Sequence, residues 1–174
     1  MKRGIILIAA VFVFIGLKAQ LNPVDEMFNK YSGQMGITSV SISSKMFAMF
    51  ANVDLEDPDL NNLVSKLKSI RILTVDSVAL NKKINFNDEL SKKLNATVYE
   101  ELMVVKEGNK ITRFLTTMTG KTISELVVIT GGINGNELIS IKGDLDLKNI
   151  SALSKKMGIG QLKSLEMIDG KTLK

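Results

Sequence analysis

Residues 99–142 read YEELMVVKEGNKITRFLTTMTGKTISELVVITGGINGNELISIK, and this stretch decides the fold. Four runs rich in Val, Ile, Leu and Thr follow one another: Tyr99–Glu107, Lys110–Thr119, Thr122–Thr130 and Glu137–Lys142. Gly108-Asn109, Gly120-Lys121 and the loop from Gly131 to Asn136 separate them. Strands so closely spaced pair with their sequence neighbours, so the stretch predicts a four-strand antiparallel meander.

The period is different upstream. Pro23–Tyr31 places Val24, Met27, Phe28 and Tyr31 on one helical face. Ile37–Ser43 alternates Thr38, Val40 and Ile42 with Ser39, Ser41 and Ser43, the pattern of a half-buried strand. From Ser44 a helix carries the apolar stripe Met46, Phe47, Met49, Phe50 and Val53. Pro58 opens another, capped by Asp57, with Leu60, Leu63, Val64 and Leu67 inward. Ile70–Asp76 reads as a central strand and Asn87–Val98 as a helix. Leu147–Met157 reads as a last helix, and residues 159–174 as a flexible tail. The sum is one α+β domain over residues 20–158, a mainly antiparallel sheet with helices packed on one face. The first two strands are open to a parallel pairing through a helical crossover.

The chain begins with a basic head, Met1-Lys2-Arg3, then an unbroken apolar run from Gly4 to Leu17, then Lys18-Ala19-Gln20. That order predicts a cleavable signal over residues 1–19 and a periplasmic or secreted protein. The run is shorter than the roughly 20 residues a spanning helix needs, so no membrane anchor is expected after cleavage. The formal charge of +5 over the whole chain shrinks accordingly, because Lys2, Arg3 and Lys18 leave with the signal. The remaining Lys residues are scattered, which argues against nucleic acid as a partner.

Composition excludes more than it proposes. Cys and His are both absent, which rules out a thiol nucleophile, a thiolate metal site and a Ser–His–Asp triad. No cofactor is expected. Trp is absent and aromatics are 5%, too few for a ring-stacking sugar or single-strand platform. Gly120-Lys121-Thr122 and Gly170-Lys171-Thr172 end like phosphate loops but have Leu115 and Leu165 where the first glycine belongs. The Gly131–Asn136 loop reads as a hairpin turn in which Asn-Gly takes positive φ. Asp54, Glu56, Asp57 and Asp59, and separately Asp144 and Asp146, read as helix-start residues before they read as metal or acid–base sites. The one stripe that points to binding is Met46, Phe47, Met49 and Phe50, a candidate apolar partner surface.

These features together resemble an uncharacterised family of exported proteins of Bacteroidota-type bacteria, known as a domain of unknown function. The likeness lies in Leu17-Lys18-Ala19-Gln20 and in the serine-alternating strand of Ile37–Phe50, which runs into Ser-Lys-Met-Phe. It continues in Ile70–Val75 and in Ile141-Lys142-Gly143-Asp144-Leu145-Asp146-Leu147. Some members look like lipoproteins, whereas this chain has no cysteine to lipidate. The resemblance implies an envelope location and an α+β fold, and it transfers no catalytic residue. The expected function is a non-catalytic envelope module that binds an envelope protein. A carrier of an apolar small molecule or lipid and a carboxylate-dependent hydrolase are the alternatives.

Overall fold

The computed structural model describes residues 22–51, 58–120 and 122–146. The signal at 1–19, Asp54, Glu56 and Asp57 of the acidic cluster, the closing helix and the tail lie outside these residues, while Asp59 falls in the helix that Pro58 opens. The described elements run α1 (Pro23–Tyr31), β1 (Ile37–Ser43), α2 (Ser44–Ala51), α3 (Pro58–Lys66), β2 (Leu67–Val75), α4 (Val78–Asn81), α5 (Phe86–Ser91), β3 (Glu100–Glu107), β4 (Lys110–Thr119), β5 (Thr122–Gly131) and β6 (Glu137–Leu145).

All six strands form one antiparallel sheet in the order β1-β2-β6-β5-β4-β3. The meander over β3–β6 is as the sequence predicts. The pairing of β1 with β2 is antiparallel, with Val40 opposite Ile72, and not a parallel crossover. Ser43 runs directly into α2, and Lys66 directly into β2. Because α2 and α3 pack against each other as an out-and-back pair, β2 starts at the end where β1 stopped. A single helix would have carried the chain to the far end.

Helices cover both faces of the sheet, not one. On one face α2 and α3 bring Phe47, Leu63 and Val64 onto Ile70, Phe114, Leu126, Val128, Ile139 and Ile141. On the other, α1 and α5 bring Val24, Met27, Phe28, Phe86 and Leu90 onto Leu73, Leu115, Val127, Ile129 and Leu138. The reason is in β5: Leu126, Val127, Val128 and Ile129 are all buried, so consecutive side chains on opposite faces both need cover. Each is worth about 1.5–3 kcal/mol of burial, more than any helix placement on a single face could recover.

Three further departures are local. The helix expected over Asn87–Val98 stops at Ser91, because Asn95 accepts hydrogen bonds from the Thr97 N–H and hydroxyl and redirects the chain into β3. Its cap is Asn85, whose side-chain oxygen accepts the Asp88 N–H. Asp144 lies in β6, which continues to Leu145, and does not start a helix. The loop after Gly131 contains no positive φ, so it is not the Asn-Gly turn expected. Gly108 and Gly120 do adopt positive φ, at 58° and 64°, and close the other two hairpins.

Asn136 ties this architecture together. It is 2% exposed, and its Nδ2 donates to Asn81 Oδ1, the Ile84 carbonyl and the Gly132 carbonyl at 2.9–3.0 Å. Its Oδ1 accepts the Phe86 N–H at 2.8 Å, and its own carbonyl accepts the Val75 N–H. One side chain therefore joins the start of β6 to α4, to the approach to α5 and to its own hairpin. Asn136→Ala strands several buried backbone groups at once and should lower unfolding free energy by about 2–4 kcal/mol in urea titrations. Asn134→Ala, two residues away on the exposed loop, should stay within about 0.5 kcal/mol of the parent.

Candidate functional site

The four residues of the apolar stripe separate. Phe47 is 5% exposed and packs into the core, while Met46 and Met49 are 45% and 67% exposed on the outer side of α2. Phe50 belongs to α2, and its side chain is outside the described set. The helical period explains the split, since a face that buries Phe47 turns Met49 roughly 200° away from it.

A dense polar cluster lies elsewhere, beneath α1, and the sequence reading missed it. β5 and β6 place Glu125 and Lys142 opposite each other, and β2 and β6 place Arg71 opposite Ser140. Asp25 reaches down from the first turn of α1. It pairs with Arg71 and with Lys142, the latter at 3.3 Å. Lys142 also stands 3.8 Å from Glu125 Oε1. The Ser140 hydroxyl donates to Glu125 Oε1 at 2.6 Å, and the Tyr99 hydroxyl lies 3.3 Å from Oε2. Asn22, the cap of α1, shares a hydrogen bond with the Tyr99 hydroxyl. Arg71 lies over the Phe28 ring, 4.2 Å from its centroid, adding a cation–π contact to the ion pair.

Burial pushes the Asp25 carboxyl up, but the Arg71 guanidinium and the Lys142 ammonium outweigh it and hold the group below its ordinary 3.8. Burial raises the Tyr99 phenol well above its usual range, and the nearby Glu125 carboxylate adds to the rise. Two acids face two bases here. Glu125 is 5% exposed and Ser140 is fully buried, so the Ser140 hydroxyl is not presented to an outside molecule. The arrangement anchors α1 to the sheet, and its carboxylates are already engaged by cations and hydroxyls. The signal for it was a charged residue in each of two strongly apolar runs, Glu125 in ISELVVI and Lys142 after ISI.

Asp144 and Asp146 come together with Glu100 and Lys66 around an open recess of about 540 Å³. Thr116, Ile123 and Leu145 also line it. The Thr116 hydroxyl is buried there with no hydrogen-bond partner. A second recess, about 390 Å³, lies between α5 and β3 and is lined by Leu94, Ala96, Tyr99 and Leu115, with Glu101 and Arg113 among its other residues. Among the described residues no three acidic groups stand close enough to hold a metal ion, and no helix is long and apolar enough to cross a membrane.

The acid response of the fold tests the α1 cluster. Asp25 titrates lower folded than unfolded, so its contribution is complete above the unfolded value near 4 and is lost as pH falls through the folded value. Glu89, held low against burial by Lys30 and Tyr31, adds to the same limb. Asp25→Asn should lower stability at neutral pH and flatten the loss of stability below about pH 4, measured by denaturant titration across pH.

No curated protein and no solved structure matches the chain. A family model described as "Domain of unknown function (DUF4252)" matches residues 31–153, which take in all six strands and leave Asp25 outside. The chain therefore belongs to the DUF4252 family.

Proposed function

We propose that this protein is exported to the cell envelope and works there as a non-catalytic module that holds a protein partner. The observation that carries the reading is the pair Met46 and Met49, exposed on a helix that Phe47 anchors in the core. Thioethers are flexible and polarisable, and they accept apolar partners of varied shape. A rigid sheet beneath them keeps the ordering cost of binding low. The absence of His and Cys from the whole chain points the same way, and so does the basic-then-apolar start at Met1–Leu17.

A second reading has an observation of its own. Glu100, Asp144 and Asp146 line one recess, and a carboxylate-dependent hydrolase needs its carboxyls in one cleft. A carrier of apolar molecules fits less well, because Glu100, Glu101 and Arg113 line the recess between α5 and β3 that would receive the cargo.

Three measurements test these readings. Fractionation of the native cell should recover a chain shortened at its N-terminus from the envelope, and full-length chain in the cytosol would refute export. Cross-linking in envelope extracts should capture one defined partner that Met46→Asp/Met49→Asp loses by at least about tenfold, as expected when an exposed apolar anchor becomes a charge. Turnover of a generic ester or glycoside that disappears in Asp144→Ala would instead establish the hydrolase.

A further inference from the structure

The two edges of the sheet are built differently. The β3 edge carries Glu100, Glu101, Lys106 and Glu107, and a bulge between Glu101 and Met103 disturbs its pairing with β4. Charges and bulges are how sheets prevent another strand from adding to an edge. The β1 edge has neither. Its seven residues, ITSVSIS, contain no charge and no proline, and their pairing with β2 is unbroken from Ile37 to Ser43. Thr38, Ser39, Val40 and Ser41 are all exposed, with Val40 at 39%.

The hydrogen-bond phase of β1 shows which backbone groups face away from β2. The Asp76 N–H donates to the Gly36 carbonyl, and the ladder alternates from that bond. Thr38, Val40 and Ile42 therefore point their N–H and C=O groups toward β2, while Ser39 and Ser41 point theirs away from the sheet. A strand whose outward groups lie at 39 and 41 is self-complementary about residue 40. Two copies running antiparallel set Ser39 against Ser41 of the other copy twice, giving four N–H···O=C bonds. Val40 then faces Val40 across a non-hydrogen-bonded pair, where side chains approach most closely. No like charges meet along this seam, because β1 has none.

We infer that the β1 edge is the interface of a twofold homodimer in which β1 pairs antiparallel with β1 of a second copy, Val40 opposite Val40, to make one continuous twelve-stranded sheet. Every paired position in that register is uncharged, and the exposed Val40 side chain becomes covered. Such an interface is isologous and closes on itself. The inference goes beyond the partner-binding reading and does not depend on it, since self-association is measured on the purified chain alone.

The chain has no cysteine, so one introduced thiol reports one contact. Val40→Cys places two thiols at the twofold, where the Cα atoms of a non-hydrogen-bonded pair lie about 4.5 Å apart, within disulfide reach. Thr38 is also exposed, but in this register the thiols of Thr38→Cys sit roughly 13 Å apart, beyond reach. Under copper–phenanthroline oxidation, Val40→Cys should form covalent dimer at least about tenfold faster than Thr38→Cys. In sedimentation velocity, Ser41→Pro should shift the chain toward monomer while far-UV circular dichroism stays native. Equal cross-linking of the two thiols, or a parent chain that is monomeric at all concentrations, overturns the proposal. A Ser41→Pro dimer as strong as the parent also overturns it.

Discussion

Burial of β5 on both faces is the constraint on which the rest of the structure depends. Leu126 and Val128 point one way, Val127 and Ile129 the other, and all four are inaccessible to water. Such a strand needs a neighbour at each edge and cover on each face, which helices supply here. The route of the chain follows from that need. The α2–α3 pair covers one face while joining β1 to β2, and α4 and α5 lead the chain over the other face from β2 to the far edge. The meander then returns inward, and β6 closes the sheet by inserting beside β2.

Polar groups inside this apolar frame are placed where the frame has to be joined. Asn136 fastens the hairpin between β5 and β6 to α4 and α5, and the Asp25–Arg71–Lys142–Glu125 cluster fastens α1 to the middle of the sheet. In both places a backbone or carboxylate group would be stranded if its partner were lost, which makes the join specific rather than merely adhesive. Among the described residues, three exposed parts take no share in these joins. These are the outer side of α2, the acidic recess at the end of β6 and the uncharged edge of β1.

Much of the fold was legible in the chain because the signals were local. The runs between residues 99 and 142 are rich in Val, Ile, Leu and Thr and are broken at glycines, so the strands of the meander could be placed from neighbours within a few residues, although β6 runs on past Lys142 to Leu145. The helix at Pro23–Tyr31 and the strand at Ile37–Ser43 were equally plain, since a single apolar period covers each. The helix at Asn87 was read too long, because nothing in a helical period announces that Asn95 will bond to Thr97 instead. The candidate site was legible only in part. Exposed Met46 and Met49 could be named from the stripe, whereas the inward turn of Phe47 required a sheet beneath the helix.

The amino-acid order alone determined the number and type of most elements, the hairpin connections of the meander and the exclusion of thiol and imidazole chemistry, since all of these rest on composition or on contacts a few residues apart. Tertiary structure alone decided the antiparallel pairing of β1 with β2, the helix cover on both faces and the meeting of Asp25 with Lys142 from opposite ends of the chain. It also decided which sheet edge was left unguarded. Those outcomes depend on which strand lies beside which, and strand order is chosen by the whole set of buried surfaces at once rather than by any segment's own period.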